Sequence, residues 1–249
     1  MYEGFYGLHE RPFDITPNTR FLYLTPTHRE ALSTLKYGLS RNQGITLLLG
    51  EAGTGKTTLI RAALQALEQQ DLCYVYLNNP TLTRTEFYEY LATAYGLGPD
   101  ASLSKSRFLF ELQRQVRERH LAGALTSLII DEAQSLPDAL LEEIRLLANM
   151  ETPTAKLLPV ILVGQPELAG RLNQPQLRQL KQRIALRHTL QPLSLRETAA
   201  YIAGRIVIAG GNAAEVFTRE AVMAVHEYSA GIPRTISVIC DNALLSGFA

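Results

Sequence analysis

Neither sign of charge is in surplus in this sequence: 24 Lys and Arg stand against 24 Asp and Glu in 249 residues. That balance removes any general pull toward nucleic acid and leaves only local patches to argue from. Cysteine is scarce. Cys73 and Cys240 lie far apart and lack metal-ligand spacing, so two reduced thiols of a cytosolic chain are expected. His9, His120, His188 and His226 also lack metal spacing, and His28 opens a helical pattern and is expected to face solvent. No apolar run approaches the roughly 18 residues of a membrane helix. The opening MYEGFYGLHERPF lacks the basic start and apolar core of a signal peptide. Internal repeats and low-complexity tracts are absent, as is the guanine-reading pattern N-K-x-D. The final DNALLSGFA falls inside a helical pattern, which fits a piece of something longer.

What is present is a hydrophobic content of 46%, enough for a sizeable core. ITLLLG (Ile45–Gly50), LCYVYL (Leu72–Leu77), LTSLIIDE (Leu125–Glu132), LLPVILVG (Leu157–Gly164) and RIALRHTL (Arg183–Leu190) read as strands. The first four are nearly continuous apolar runs, as expected of parallel strands covered on both faces. Helical patterns lie between them at Thr57–Gln69, Arg84–Tyr95, Ser104–Leu121 and Asp138–Asn149. The alternation predicts an α/β parallel sheet with right-handed crossovers. After Leu190 three helical segments follow without a strand; Ser194 with Glu197 matches a capping box and Thr218 an N-cap.

Gly50-Glu51-Ala52-Gly53-Thr54-Gly55-Lys56-Thr57, with Thr58 next, fits G-x-x-x-x-G-K-[ST] between a strand and a helix start. Glycines there let successive backbone N–H groups face phosphate oxygens, and the helix adds the positive end of its dipole. In that setting Lys56 reaches the β- and γ-phosphates and the Thr57 hydroxyl ligates magnesium. Two crossovers later, Asp131 and Glu132 end the strand LTSLII. Asp131 is placed to hold magnesium and Glu132 to polarise an attacking water. A nucleoside triphosphate and Mg2+ are thus the expected substrate and cofactor of a hydrolase.

Further elements occur in a fixed order: Gln165 ending LLPVILVGQ, basic residues Arg178, Lys181 and Arg183 before the fifth strand, and AGIPRTISV opening the last helix. Together with the two motifs they resemble the AAA+ ATPases. The N-terminal MYEGFYGLHERPFDITPNTRFLYLTPTHREAL, with GEAGTGKTT, DEAQ, VGQPEL and GIPRTI, is similar to the general secretion pathway protein A family, whose members include ATPase domains of secretion, pilus and exopolysaccharide loci. The resemblance spans essentially the whole chain. It implies a P-loop NTPase fold with a five-stranded parallel sheet sandwiched by helices and a small C-terminal all-helical lid, divided as residues 1–192 (core, with an N-terminal adenine-side segment) and 193–249 (lid). It implies that Gln165 is sensor 1, where Asn, Thr, Ser or Asp is commoner, and that Arg234 is sensor 2, contacting phosphates from the lid. Arg183, with Arg178 as the alternative, is the arginine finger supplied to a neighbouring subunit. Leu8, Phe13 and Ile232 line the adenine site beside an N-terminal segment rich in Tyr and Phe. The resemblance also implies adenine over guanine, self-association into a ring or helix, an export-machinery partner, and a place in the cytoplasm at the inner membrane. The membrane anchor and peptidoglycan-binding domain of longer members are absent from these residues. Two other readings stand beside this one. The basic run Arg171–Arg187 fits a DNA-dependent regulator of the transposition-ATPase type that assembles on duplex DNA. A scaffold gated by nucleotide, with incidental hydrolysis, fits as well.

Overall fold

The computed structural model describes residues 2–16, 18–41, 43–78 and 81–249. In chain order the elements are α1 (Pro26–Ser40), β1 (Ile45–Leu49), α2 (Lys56–Gln65), β2 (Leu72–Leu77), α3 (Arg84–Ala94), α4 (Lys105–Leu121), β3 (Leu125–Ile130), α5 (Asp138–Leu147), β4 (Val160–Gly164), α6 (Pro166–Leu172), α7 (Arg178–Lys181), β5 (Ile184–Thr189), α8 (Leu195–Ile208), α9 (Ala213–Val216), α10 (Arg219–Ser229) and α11 (Pro233–Phe248). The chain divides into two compact units. One holds residues 30–49 and 62–189; the other gathers residues 1–29, 50–61 and 190–249.

In the first unit the strands form a parallel sheet in the order β2-β3-β4-β1-β5. β1 and β4 are buried at every position, and β3 at all but its first. That is the burial expected of strands flanked on both edges and covered on both faces. β2 departs from the expectation: its apolar run is only half buried, and Tyr74 is exposed, because it lies at the sheet edge rather than inside it. β5 is the opposite edge and is half buried too. β4 starts at Val160 rather than Leu157. Pro159 has no N–H to donate, and the N–H of Leu157 goes to Met150 O instead. Phe87, Phe108, Leu112, Leu140, Leu141 and Ile144 pack with the inner strand residues into one core.

Buried Glu143 on α5 is held by Lys105 (2.5 Å), Arg84 (3.1 Å) and the Tyr88 hydroxyl. Burial alone would raise its pKa. The donors on α3 and α4 outweigh it and hold the carboxyl below its ordinary value. The carboxylate therefore ties three helices together.

The second unit has its own core, in which Tyr2, Leu8, Phe13 and Phe21 of the N-terminal segment pack with Tyr201, Ile202, Ile206, Ile236 and Leu244. Capping boxes or N-cap side chains start α8, α9 and α10 from Ser194, Asn212 and Thr218. α9 is an additional short helix between the expected segments. Arg205 is buried and donates to the Tyr201 hydroxyl, to Ser237 Oγ (3.1 Å) and to Asp14 O (3.2 Å), with its guanidinium 5.0 Å from the Phe21 ring centre. It fastens the N-terminal segment to α8 and α11. Cys73 and Cys240 are free thiols, and burial pushes Cys240 up to about 12, far from a reactive thiolate.

Candidate nucleotide site

The candidate phosphate site is the turn that follows β1. Gly53 and Gly55 take φ of +82° and +96°, values that cost glycine nothing and other residues a great deal. Gly53 is also required by space. A Cβ there would lie 2.6 Å from Arg234 Cβ and 3.2 Å from Ile232 Cγ2. α2 begins at Lys56, so its first N–H groups open toward the turn, with Thr57 and Thr58 in the first helical turn. Lys56 is 5% exposed, and its ammonium donates to the carbonyls of Gly50 (2.8 Å) and Glu51 (3.0 Å). Thr54 Oγ1 donates to Glu51 O at 2.8 Å and stiffens the same loop. Positive-φ glycines, an inward cation and a helix N-terminus make a cradle that suits a polyphosphate.

α11 meets this turn directly. Pro233 is its first residue, which suits a position whose N–H has no helical partner. The next N–H, that of Arg234, donates to Gly53 O at 3.2 Å. The structure thus brings Ile232 and Arg234 to the phosphate turn, with the Arg234 side chain exposed. Leu8 and Phe13 are placed differently. Both are buried; Phe13 makes an edge contact with Phe217 at 6.1 Å, and Leu8 abuts Gly211. The N–H groups of Leu8 and His9 already bond Glu3 O and Ala209 O, each at 2.8 Å.

His28 overturns its expectation. It is 3% exposed rather than solvated, with Nε2 3.2 Å from Thr54 O and Nδ1 2.6 Å from Thr25 Oγ1. Its place near the start of α1 gave no signal, because the partner carbonyl is distant in sequence.

In the other unit, the ends of β3 and β4 carry a second group of the residues expected at a site. Asp131 is 2% exposed. The Tyr76 hydroxyl donates to its Oδ2 (2.6 Å), and the N–H of Glu132 donates to its Oδ1 (2.9 Å). Glu132 has φ 53° and ψ 37°, a left-handed conformation uncommon for a non-glycine residue and frequent at functional sites. Its Oε2 accepts from Gln134 Nε2 at 2.5 Å and Gln165 Nε2 at 3.3 Å. Gln134 Oε1 in turn accepts the N–H of Gln165 at 3.0 Å. Gln165 and Glu132 therefore meet, with Gln134 bridging them. Arg171 braces the turn by donating to Gln134 O and Leu136 O, each at 2.7 Å, and by pairing with Asp138. Sequence reading missed Gln134, although it sits in the DEAQ motif, and took Arg171 only as part of a basic run. Arg178 and Arg183 are exposed, Arg183 immediately before edge strand β5. Among the described residues no group of three His, Cys, Asp or Glu side chains could hold a metal. The Asp131 carboxylate is a hard oxygen donor of the kind that suits magnesium.

Fold and site together define a P-loop nucleotide-binding protein of the AAA class. A family model described as "AAA domain" matches residues 39–172, and the chain belongs to that family. Among individual proteins, it is 44% identical to General secretion pathway protein A of Aeromonas hydrophila over 250 residues, spanning all of this chain and 45% of that protein. The chain thus spans less than half the length of this relative. Of solved structures, the Cdc6p protein of Pyrobaculum aerophilum is similar with a TM-score of 0.69 at 20% identity, covering 95% of this chain and 66% of that one. The ORC1 protein of Aeropyrum pernix, solved in complex with DNA, gives 0.68 at 16% identity, covering 96% and 64%. At those identities the likeness is one of fold. No described helix is long and apolar enough to cross a membrane.

Proposed function

We propose that this chain is an ATPase that binds ATP with magnesium on the Gly50–Thr57 turn, hydrolyses it in an assembly of its own copies, and drives or regulates export machinery. The observation that carries the reading is the cradle itself. Lys56 lies inside it on two carbonyls, and the first free N–H of α11 is seated on Gly53. A triphosphate exchanges those carbonyls for stronger charge-assisted partners of Lys56. In this reading the N–H groups of Gly53 to Thr58 hold the phosphates, and Thr57 and Asp131 hold magnesium. Bound magnesium neutralises phosphate charge. Glu132 takes a proton from the attacking water, and Gln165 orients it at the γ-phosphate. Arg234 closes on the phosphates from the start of α11, so closure depends on the nucleotide present. Leu8, Phe13 and Ile232 line the adenine side of the site. Arg183, exposed beside an edge strand, supplies the finger to the next copy. That arrangement is head-to-tail and builds rings or helices. Arg178 is the alternative donor. The export role is supported by the 44% identity to the secretion relative, and the place proposed for it is the cytoplasm at the inner membrane.

The DNA-dependent reading is favoured by the exposed Arg178, Lys181, Arg183 and Arg187. Arg171 does not add to that surface, because it is spent on Gln134, Leu136 and Asp138. Sizing the protein with a non-hydrolysable ATP analogue and magnesium, with and without duplex DNA, separates the two. The export-switch reading expects assembly driven by nucleotide alone. Assembly that requires duplex and collapses steeply with salt would replace it with the DNA reading. A monomer under every condition would contradict both.

A further inference from the structure

We infer that His28 is a positioning residue of the phosphate turn, fixing the direction of the Thr54–Gly55 peptide so that the turn is preset for its ligand. The inference rests on the reading of that turn as an ATP site. Thr25, just before α1, accepts the N–H of His28 on its Oγ1 at 3.1 Å and lies 2.9 Å from Thr27 Oγ1. His28 Nδ1 lies 2.6 Å from the same oxygen, and His28 Nε2 lies 3.2 Å from the carbonyl of Thr54. A carbonyl can only accept, so Nε2 carries the proton. Nδ1 of the neutral ring then accepts the Thr25 O–H. Thr25 Oγ1 keeps its lone pairs for the His28 N–H and the Thr27 hydroxyl. One tautomer satisfies every one of these contacts.

The consequence lies in the peptide plane. In a trans peptide the carbonyl and the next N–H point in opposite directions. Holding Thr54 O toward His28 therefore turns the N–H of Gly55 away from it. The residues on either side of Thr54 are Gly53 and Gly55, at φ of +82° and +96°. Glycine populates positive and negative φ about equally, so Gly55 itself offers little resistance to a flip of this peptide, and the local bond of Thr54 Oγ1 to Glu51 O holds the Thr54 side chain rather than its carbonyl. A flip would replace a donor facing phosphate with a carbonyl facing phosphate. Buried His28, anchored by Thr25 just before α1, opposes it. The ring sits against the turn closely enough that a Cβ on Gly55 would lie 3.8 Å from Nε2. The same glycines that let the loop wrap a phosphate also leave it needing an external brace.

Equilibrium binding of ATP and ADP, together with steady-state hydrolysis, tests this on purified variants whose folding is checked by thermal melting. His28→Ala is expected to weaken both nucleotides by about tenfold, the loss of one buried hydrogen bond (about 1.4 kcal/mol), and to raise KM far more than it lowers kcat. His28→Gln carries an amide N–H to the place of Nε2 and is expected to recover most of the affinity. His28→Asn reaches only the Nδ1 side and is expected to behave like alanine. If the alanine variant does not fold, the contrast between Gln and Asn decides the matter. Lys56→Ala is the control for the site. Loss of binding in Lys56→Ala with wild-type affinity in His28→Ala, or with Gln as poor as Asn, would overturn the role of His28. Undiminished binding in Lys56→Ala would instead overturn the site it depends on.

Discussion

Glu132→Gln is expected to bind ATP as tightly as the wild type and to hydrolyse it about 10²–10⁴-fold more slowly, the range lost with a general base. The geometry makes this substitution cleaner than most. The Glu132 carboxylate oxygen accepts from the side-chain amides of Gln134 and Gln165. A glutamine there keeps a carbonyl oxygen for those donors and removes only the charge and the ability to take a proton. In the proposed site nucleotide affinity comes from the Gly50–Thr57 turn, which the substitution does not touch. Single-turnover hydrolysis alongside equilibrium binding separates the two quantities. Turnover near the wild-type rate would remove Glu132 from the chemistry. Survival of the cellular function with hydrolysis abolished would favour the scaffold reading.

The second large effect is expected at Arg183. Its replacement by alanine should leave ATP binding intact and lower hydrolysis by about 10³–10⁵, the contribution of an arginine supplied in trans to the transition state. The side chain is exposed at the entrance to β5, an edge strand, so its removal leaves no buried gap. A mixing experiment gives the sharper result. Arg183→Ala subunits keep Glu132, and Glu132→Gln subunits keep Arg183, so an interface with the former's site and the latter's finger is complete. Random equal mixing makes about one interface in four of this kind in a head-to-tail assembly. Activity should therefore return in the mixture although neither variant has it alone. A silent mixture of confirmed co-assemblies would assign the arginine another role, and the same mixture with Arg178→Ala would test the alternative donor.

The fold was largely legible because its strongest signals are local. The runs ITLLL and LCYVYL needed only apolar content and flanking turns to be placed as strands, and both occur at those positions. Which strand lies at the edge was not legible. β2 is as apolar in sequence as β4 and differs only in having a neighbour on one side, a fact about pairing rather than composition. The positions of the glycine turn and of Asp131-Glu132 at strand ends were legible because an apolar run precedes each of them. Gln134, Arg171 and His28 were not, because their importance lies in contacts to residues distant in sequence. Gln134 reaches the backbone of Gln165, Arg171 reaches the carbonyls of Gln134 and Leu136, and His28 reaches Thr54. The contact of the Phe13 ring with Phe217 was not legible either, for the same reason.

The central claim is that the turn after β1 grips the phosphates of ATP and that α11 closes on them. A crystal structure of the protein grown with ATP analogue and magnesium measures this directly. The account predicts the triphosphate on the N–H groups of Gly53 to Thr58, Lys56 withdrawn from the carbonyls of Gly50 and Glu51 to the β- and γ-phosphates, and the Arg234 side chain turned toward them. An ordered nucleotide bound away from this turn, or Lys56 still on those two carbonyls beside a bound triphosphate, would contradict it.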